Sequence, residues 1–326
     1  MTGRERLRWW VDLWRREEGP QSLALVRLGI AGVLLVDLLR MRMLGLVRPL
    51  MGARAAGGLG AAELLDRPPW LLDYLGTGDA LHEGIWWGMT LGCVCLLLGV
   101  VPRLAALVVV LLSAQFAVIL PAADRGIDML LRNGLFILTF APTAATWSLS
   151  CRTRHGRWSA PASLRIMAWP RYLLAFQLVV VYFAAGISKV SSSWTPLGGL
   201  SALFYSMSDP HFQRLSDEWL QAGYRLSQVG TFVSVTWEWA APLLLLAWWY
   251  RETADRPGRL RAWMNRRPVV ETYLLVGAVF HIGCHLFLRL GIFPFAMMAF
   301  YPACLPPDRW AEWRARLRSL RRRRRP

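Results

Sequence analysis

Apolar runs of nearly bilayer length recur along this chain, and they constrain its fold more than any other feature. LALVRLGIAGVLLVDLL at 23–39 and AALVVVLLSAQFAVIL at 105–120 are two of them. A helix needs about 20 such residues to cross a hydrocarbon core. Backbone polar groups there must be satisfied within the segment, which leaves helices as the solution for runs of this kind. The expected fold class is therefore all-α, a polytopic transmembrane helical bundle of about eight spans. They fall at roughly 21–40, 82–99, 104–121, 127–147, 171–189, 226–249, 269–290 and 292–306. Gly291 and Pro294 divide the last two, which reads as a tight hairpin with a short final helix.

Charge orients the spans. The net charge of +17 would suggest nucleic acid in a soluble chain, but here the arginines fall between apolar runs. With the N-terminus inside and Arg171 counted at the inner boundary, inner segments hold 26 basic residues against 7 in the outer ones. That bias predicts both termini on the cytoplasmic side of a bacterial membrane, and no nucleic-acid partner. Residues 1–20 mix arginines with Trp9, Trp10 and Trp14, and lack the apolar core and cleavage site of a signal peptide. They read as an amphipathic helix on the interface. The Arg-rich tail, 307–326, places Trp310, Trp313, Leu317 and Leu320 at helical spacing. It reads the same way, with anionic headgroups as the expected partner of both ends. Between them lies one membrane domain, 21–306. Arg42, Arg48, Glu63, Asp66 and Asp73 in the 41–81 segment read as a solvated face, on a stretch able to fold over a pocket.

Five scattered cysteines with no CxxC pair give neither a disulfide framework nor a zinc signature, and read as small buried hydrophobes.

One residue stands out. Lys189 is the only lysine among 38 basic residues, at the end of FQLVVVYFAAGISKVSSSW. Arginine would serve if only a positive charge were needed. A lysine in apolar surroundings can lose its proton and act as a base. The alternative is a lysine reaching from a helix end to the headgroups. Tyr182, within the span, and Trp194, just beyond it, flank the position. Other ionisable groups gather by depth in the outer half of the spans: Asp37, Asp128, Arg132, Glu238, His281 and His285. Asp128 and Arg132 are spaced i, i+4 and can pair on one helix face. His281 and His285 share that spacing and could share a metal, but such a site wants a third protein ligand, so no metal is expected. Groups like these line a polar pocket or bind helices to one another.

YFAAGISKVSSSW and the following TPLGGLSALFYSMSDP resemble the core of the horizontally transferred transmembrane (HTTM) domain, the family of vitamin K-dependent gamma-glutamyl carboxylase. LVRLGIAGVLLVDLLR, WEWAAPLL and HIGCHLFLRLGIFPFAMMAFYP support the resemblance, which covers about 21–306. In the carboxylase, a lysine in an AG-x-x-K pattern deprotonates reduced vitamin K, and Lys189 matches it. The resemblance thus implies a base at Lys189 and a quinol of the vitamin K or menaquinol type as the reacting molecule. Asp128, Glu238 and His281, gathered in the outer half of the spans, are expected to tune that base. Burial disfavours the ammonium and nearby carboxylates favour it, so such a base is set between the two. The carboxylase carries a functional histidine near the start of the fourth span, where ADRGIDMLLRNG has none, and its long lumenal extension has no counterpart here. Those departures weigh against peptide carboxylation and leave base chemistry on a small lipophilic molecule. The other expectation is a non-enzymatic membrane scaffold serving a secreted peptide or a membrane partner.

Overall fold

The computed structural model describes residues 3–52, 54, 57–60, 79–310, 312, 313 and 319. Glu63, Asp66 and Asp73, together with Leu317 and Leu320, lie outside the described residues. The chain divides into two compact units, 1–173 with 306–326, and 174–305.

The first unit opens with α1 (Gly3–Arg15), a helix with Leu7 and Trp10 exposed among its arginines. Next come α2 (Gln21–Met43), the short α3 (Val47–Met51), α4 (Asp79–Leu98), α5 (Pro102–Ile119), α6 (Gly126–Phe140) and α7 (Leu149–His155). In sequence order, α2 packs on α4, α4 on α5 and α5 on α6. The buried face of α2 runs Leu23, Val26, Arg27, Ile30, Leu34 and Leu38, the three-to-four-residue repeat of one helix stripe. Arg27 within that stripe is fully buried and donates from Nη2 to the carbonyl of Trp147 at 2.6 Å. A two-residue antiparallel pairing, β1 (Glu17–Glu18) with β2 (Ile166–Met167), adds a strand element that the sequence did not suggest. Beside it, Arg171 Nε donates to both carboxylate oxygens of Glu18, at 2.7 and 2.9 Å. Burial pushes the Glu18 carboxyl above its ordinary range, and Arg171 pulls it back.

The second unit begins within α8 (Trp169–Ile187). It continues through α9 (Ala202–Ser208), α10 (Asp217–Ala222), α11 (Tyr224–Trp239), α12 (Pro242–Glu252), α13 (Arg259–Arg266), α14 (Val269–Phe287), α15 (Phe293–Ala299) and α16 (Tyr301–Cys304). Gly291, at φ +57°, turns the chain between α14 and α15, which pack together. Only glycine adopts that region without cost.

Five described helices are long and apolar enough to cross a bilayer: α2, α4, α5, α8 and α14. A sixth candidate is the pair α11 and α12, bent by 45° at their junction. The chain is thus a multi-pass helical membrane protein, with five or six such helices among the described residues. One stretch expected as a full span is shorter, while the last, expected as a short final helix, is short. The 127–147 run stops as a helix at Phe140, because Pro142 cannot continue it and forces Ala141 into an extended conformation. The 292–306 run is two short helices, α15 and α16.

Candidate functional site

The lone lysine sits where α8 gives out. Its backbone N–H still reaches Gly186 O at 3.2 Å, and its ammonium turns back to Ala185 O at 3.3 Å. The same ammonium is ion-paired with Glu238 Oε2 and lies 4.9 Å from the centre of the Trp194 ring. Neither partner of the ion pair is free in water: the Lys189 side chain is 15% exposed and that of Glu238 7%.

Two local features bring the pair together. Gly186 lets α11 approach, since a Cβ there would come within 2.7 Å of Trp239 Cδ1 and 3.1 Å of Glu238 Cβ. Pro242 then breaks the following helix. Having no N–H, it cannot donate to the carbonyl four residues back, which belongs to Glu238. That carbonyl instead accepts from Ala241 N at 3.1 Å, and the bend follows. The expected continuous span at 226–249 is therefore two helices, broken just after the acidic residue.

On the neighbouring side chain the polarity changes. Trp237 packs 4.4 Å from Tyr182 and 5.2 Å from Tyr273, ring centre to ring centre, and its Nε1 donates to Tyr273 O at 3.0 Å. Tyr182 Oη meets His281 Nε2 at 2.7 Å and Tyr301 Oη at 3.1 Å. Gly277 makes room, because a Cβ there would fall 2.3 Å from Tyr301 Oη and 2.4 Å from Trp237 Cζ2. His281 is fully buried and its Nδ1 has no hydrogen-bond partner among the described residues. His285 does not join it. Its ring is half-buried against Phe295, 4.7 Å between centroids. No group of three or more metal-ligating side chains occurs among the described residues.

The other candidates belong to the first unit and pair differently from the expectation. Asp128 does not take Arg132. It turns back to Arg125, accepting from its backbone N–H at 3.0 Å and from its guanidinium at 2.8 Å. This is a capping box, which satisfies donors at the start of α6 that a partner at i+4 would leave free. Arg125 also bridges to Asp37 at 2.6 Å, and Arg132 holds Asp124 through two bonds of 2.6 and 2.7 Å. These five side chains line a cavity of about 60 Å³ together with Ser113 and apolar residues that include Leu34, Trp86 and Phe116. So Lys189, Glu238, Trp194, Tyr182 and His281 stand in the second unit, and Asp37, Asp128 and Arg132 in the first. Asp124, Arg125, Trp237 and Tyr301 were not singled out from sequence. An arginine three residues before a first-turn aspartate was the available signal for one of them, and the Trp-Glu pair ahead of a proline for another.

Helices of this length and hydropathy, with ionisable side chains paired between them, define a multi-pass membrane protein. The chain belongs to the HTTM domain family, whose model matches residues 15–237. That match includes Lys189 and stops one residue before its partner. No curated protein and no solved structure matches the chain.

Proposed function

We propose that this protein is an eight-span protein of the bacterial cytoplasmic membrane, both termini inside, in which Lys189 removes a proton from a small lipophilic acid such as a quinol. The Lys189–Glu238 pair at the broken helix carries the reading. As a free amine, Lys189 would break the O–H bond of the quinol and form an N–H bond, leaving a quinolate anion. Glu238 would stabilise the resulting ammonium, and the pair's low exposure would keep water from competing. His281 and Tyr182 would shape the apolar wall, while Asp128, held by Arg125, carries no step. The segments 1–20 and 307–326 would lie on anionic headgroups at the two ends of the 21–306 domain.

The test is menaquinol in nanodiscs, followed by the absorption of its anion. Wild-type protein should generate the quinolate, and Lys189→Arg should not, with an unchanged melting profile. Anion formation by Lys189→Arg at the wild-type rate would remove the base from the lysine.

A second reading has its own support. The ammonium already has a carboxylate, a carbonyl and an aromatic face, which is the full complement of a structural tie. A membrane scaffold for a secreted peptide or partner protein would show a silent Lys189→Arg and a companion that co-purifies.

A further inference from the structure

Residues 190–222, between α8 and α11, should by their place in the chain be a water-facing connection, yet among their exposed polar residues they also present large apolar side chains. Leu197 is 96% exposed, Val190 86%, Trp219 70% and Tyr205 63%. Two short helices and two single turns fold this segment, so the exposure is that of an ordered surface.

Its underside shows the level at which it rests. Met207 and Leu220 are buried together with Cys284 and Leu288, at the end of α14. Gln213 forms a backbone bridge with Leu288, and Arg289 N donates to Phe212 O at 2.9 Å. Arg214 also reaches the carbonyl of His285. The segment is thus keyed to the last turn of one span while its two ends continue into others. Leu197 and Trp219 take no part in that seam and stay largely exposed.

We infer that residues 190–222 form a cap embedded in the lipid leaflet at the Lys189 end of α8, with Val190, Leu197, Tyr205 and Trp219 in contact with acyl chains and headgroups. Lipid is the occupant because the segment is tied at three points to the end of α14, a helix long and apolar enough to cross the bilayer. Tryptophan and tyrosine favour that boundary. The segment also exposes Arg214, Asp217 and Glu218, which a cap at the headgroup level would hold in the polar layer. Asp209 accepts from the backbone N–H and ring of His211, which holds its carboxyl below the usual range, and the His211 side chain is 87% exposed. The inference does not depend on base chemistry at Lys189.

The test is a nitroxide attached at Leu197→Cys, Trp219→Cys or His211→Cys in the full chain, in nanodiscs. Its collisions are compared with oxygen, which concentrates in lipid, and with a neutral nickel chelate, which stays in water. Wild-type protein carried through the same labelling supplies the background of the five native cysteines, and Val190→Cys replaces any variant that fails to fold. Leu197 and Trp219 should favour oxygen over nickel several-fold more than His211 does. Nickel access at Leu197 equal to that at His211 would place the surface in water and overturn the inference. Protection from both reagents would mean that protein covers it, a second copy or another chain, and would overturn it as well.

Discussion

Pro242 stands four residues after Glu238, and the carbonyl it leaves without a helix partner belongs to the residue whose side chain holds Lys189. Backbone break and ion pair are thus two consequences of one local sequence, WEWAAP. Proline inside a helix costs about 3 kcal/mol, so the break is a strong constraint. Replacing Pro242 with alanine should restore the missing hydrogen bond and straighten the 45° junction. Amide exchange at residues 240–244 should slow by an order of magnitude or more. Exchange as fast as in the wild type would show that the bend has another origin.

The ion pair itself should behave as a unit. Removing one partner of a buried pair leaves the other uncompensated and typically costs about 3–5 kcal/mol. Glu238→Gln and Lys189→Met should therefore each lower unfolding stability in detergent markedly. The double change to Met and Leu should cost less than either single change. Additive losses would mean that the two side chains do not compensate one another.

Tyr182 links two partners, so its hydroxyl should matter more than that of Tyr301. Tyr182→Phe leaves both His281 Nε2 and Tyr301 Oη without it, at a cost of about 1–3 kcal/mol for a buried unsatisfied group. Tyr301→Phe keeps the Tyr182–His281 bond and should cost less. Equal losses in thermal denaturation would contradict the central place given to Tyr182.

The 15 residues of α6 cover only about 22 Å at 1.5 Å per residue, short of a hydrocarbon core of about 30 Å. Whether it crosses decides the side on which Lys189 opens. With α6 as a span, a reporter fused after residue 160 is cytoplasmic and one after residue 195 is extracytoplasmic. Six crossings without it give the reverse at both positions. Arg152, Arg154, Arg157 and Arg165 favour the first result.

Much of the architecture is legible in apolar run length, because a bilayer asks for little else. Lys189 and Glu238 were legible for the same reason: a lone lysine and a mid-span carboxylate stand out against hydrocarbon. What escaped were contests between local geometries. Asp128 could serve Arg132 at i+4 or the backbone of Arg125, and the unsatisfied donors of the helix start prevailed. Pro142 and Pro242 were both visible, but neither a fourth-span helix ending at Phe140 nor a break beside Glu238 follows from hydropathy alone. Tyr301 gave no signal, since a tyrosine near the end of an apolar run reads as an interfacial anchor until Gly277 is seen to admit its hydroxyl.

The spacing of the ion pair bears on how the protein is made. Glu238 follows Lys189 by 49 positions in the chain. A carboxylate in the middle of an apolar run is a poor passenger for the insertion machinery, because it must enter lipid without water. When α11 leaves the ribosome, the countercharge that it needs has already been delivered at the end of α8. The order of synthesis thus hands the glutamate a waiting cation, and a chain with no cation at position 189 would meet its first difficulty at insertion, before any question of activity arises.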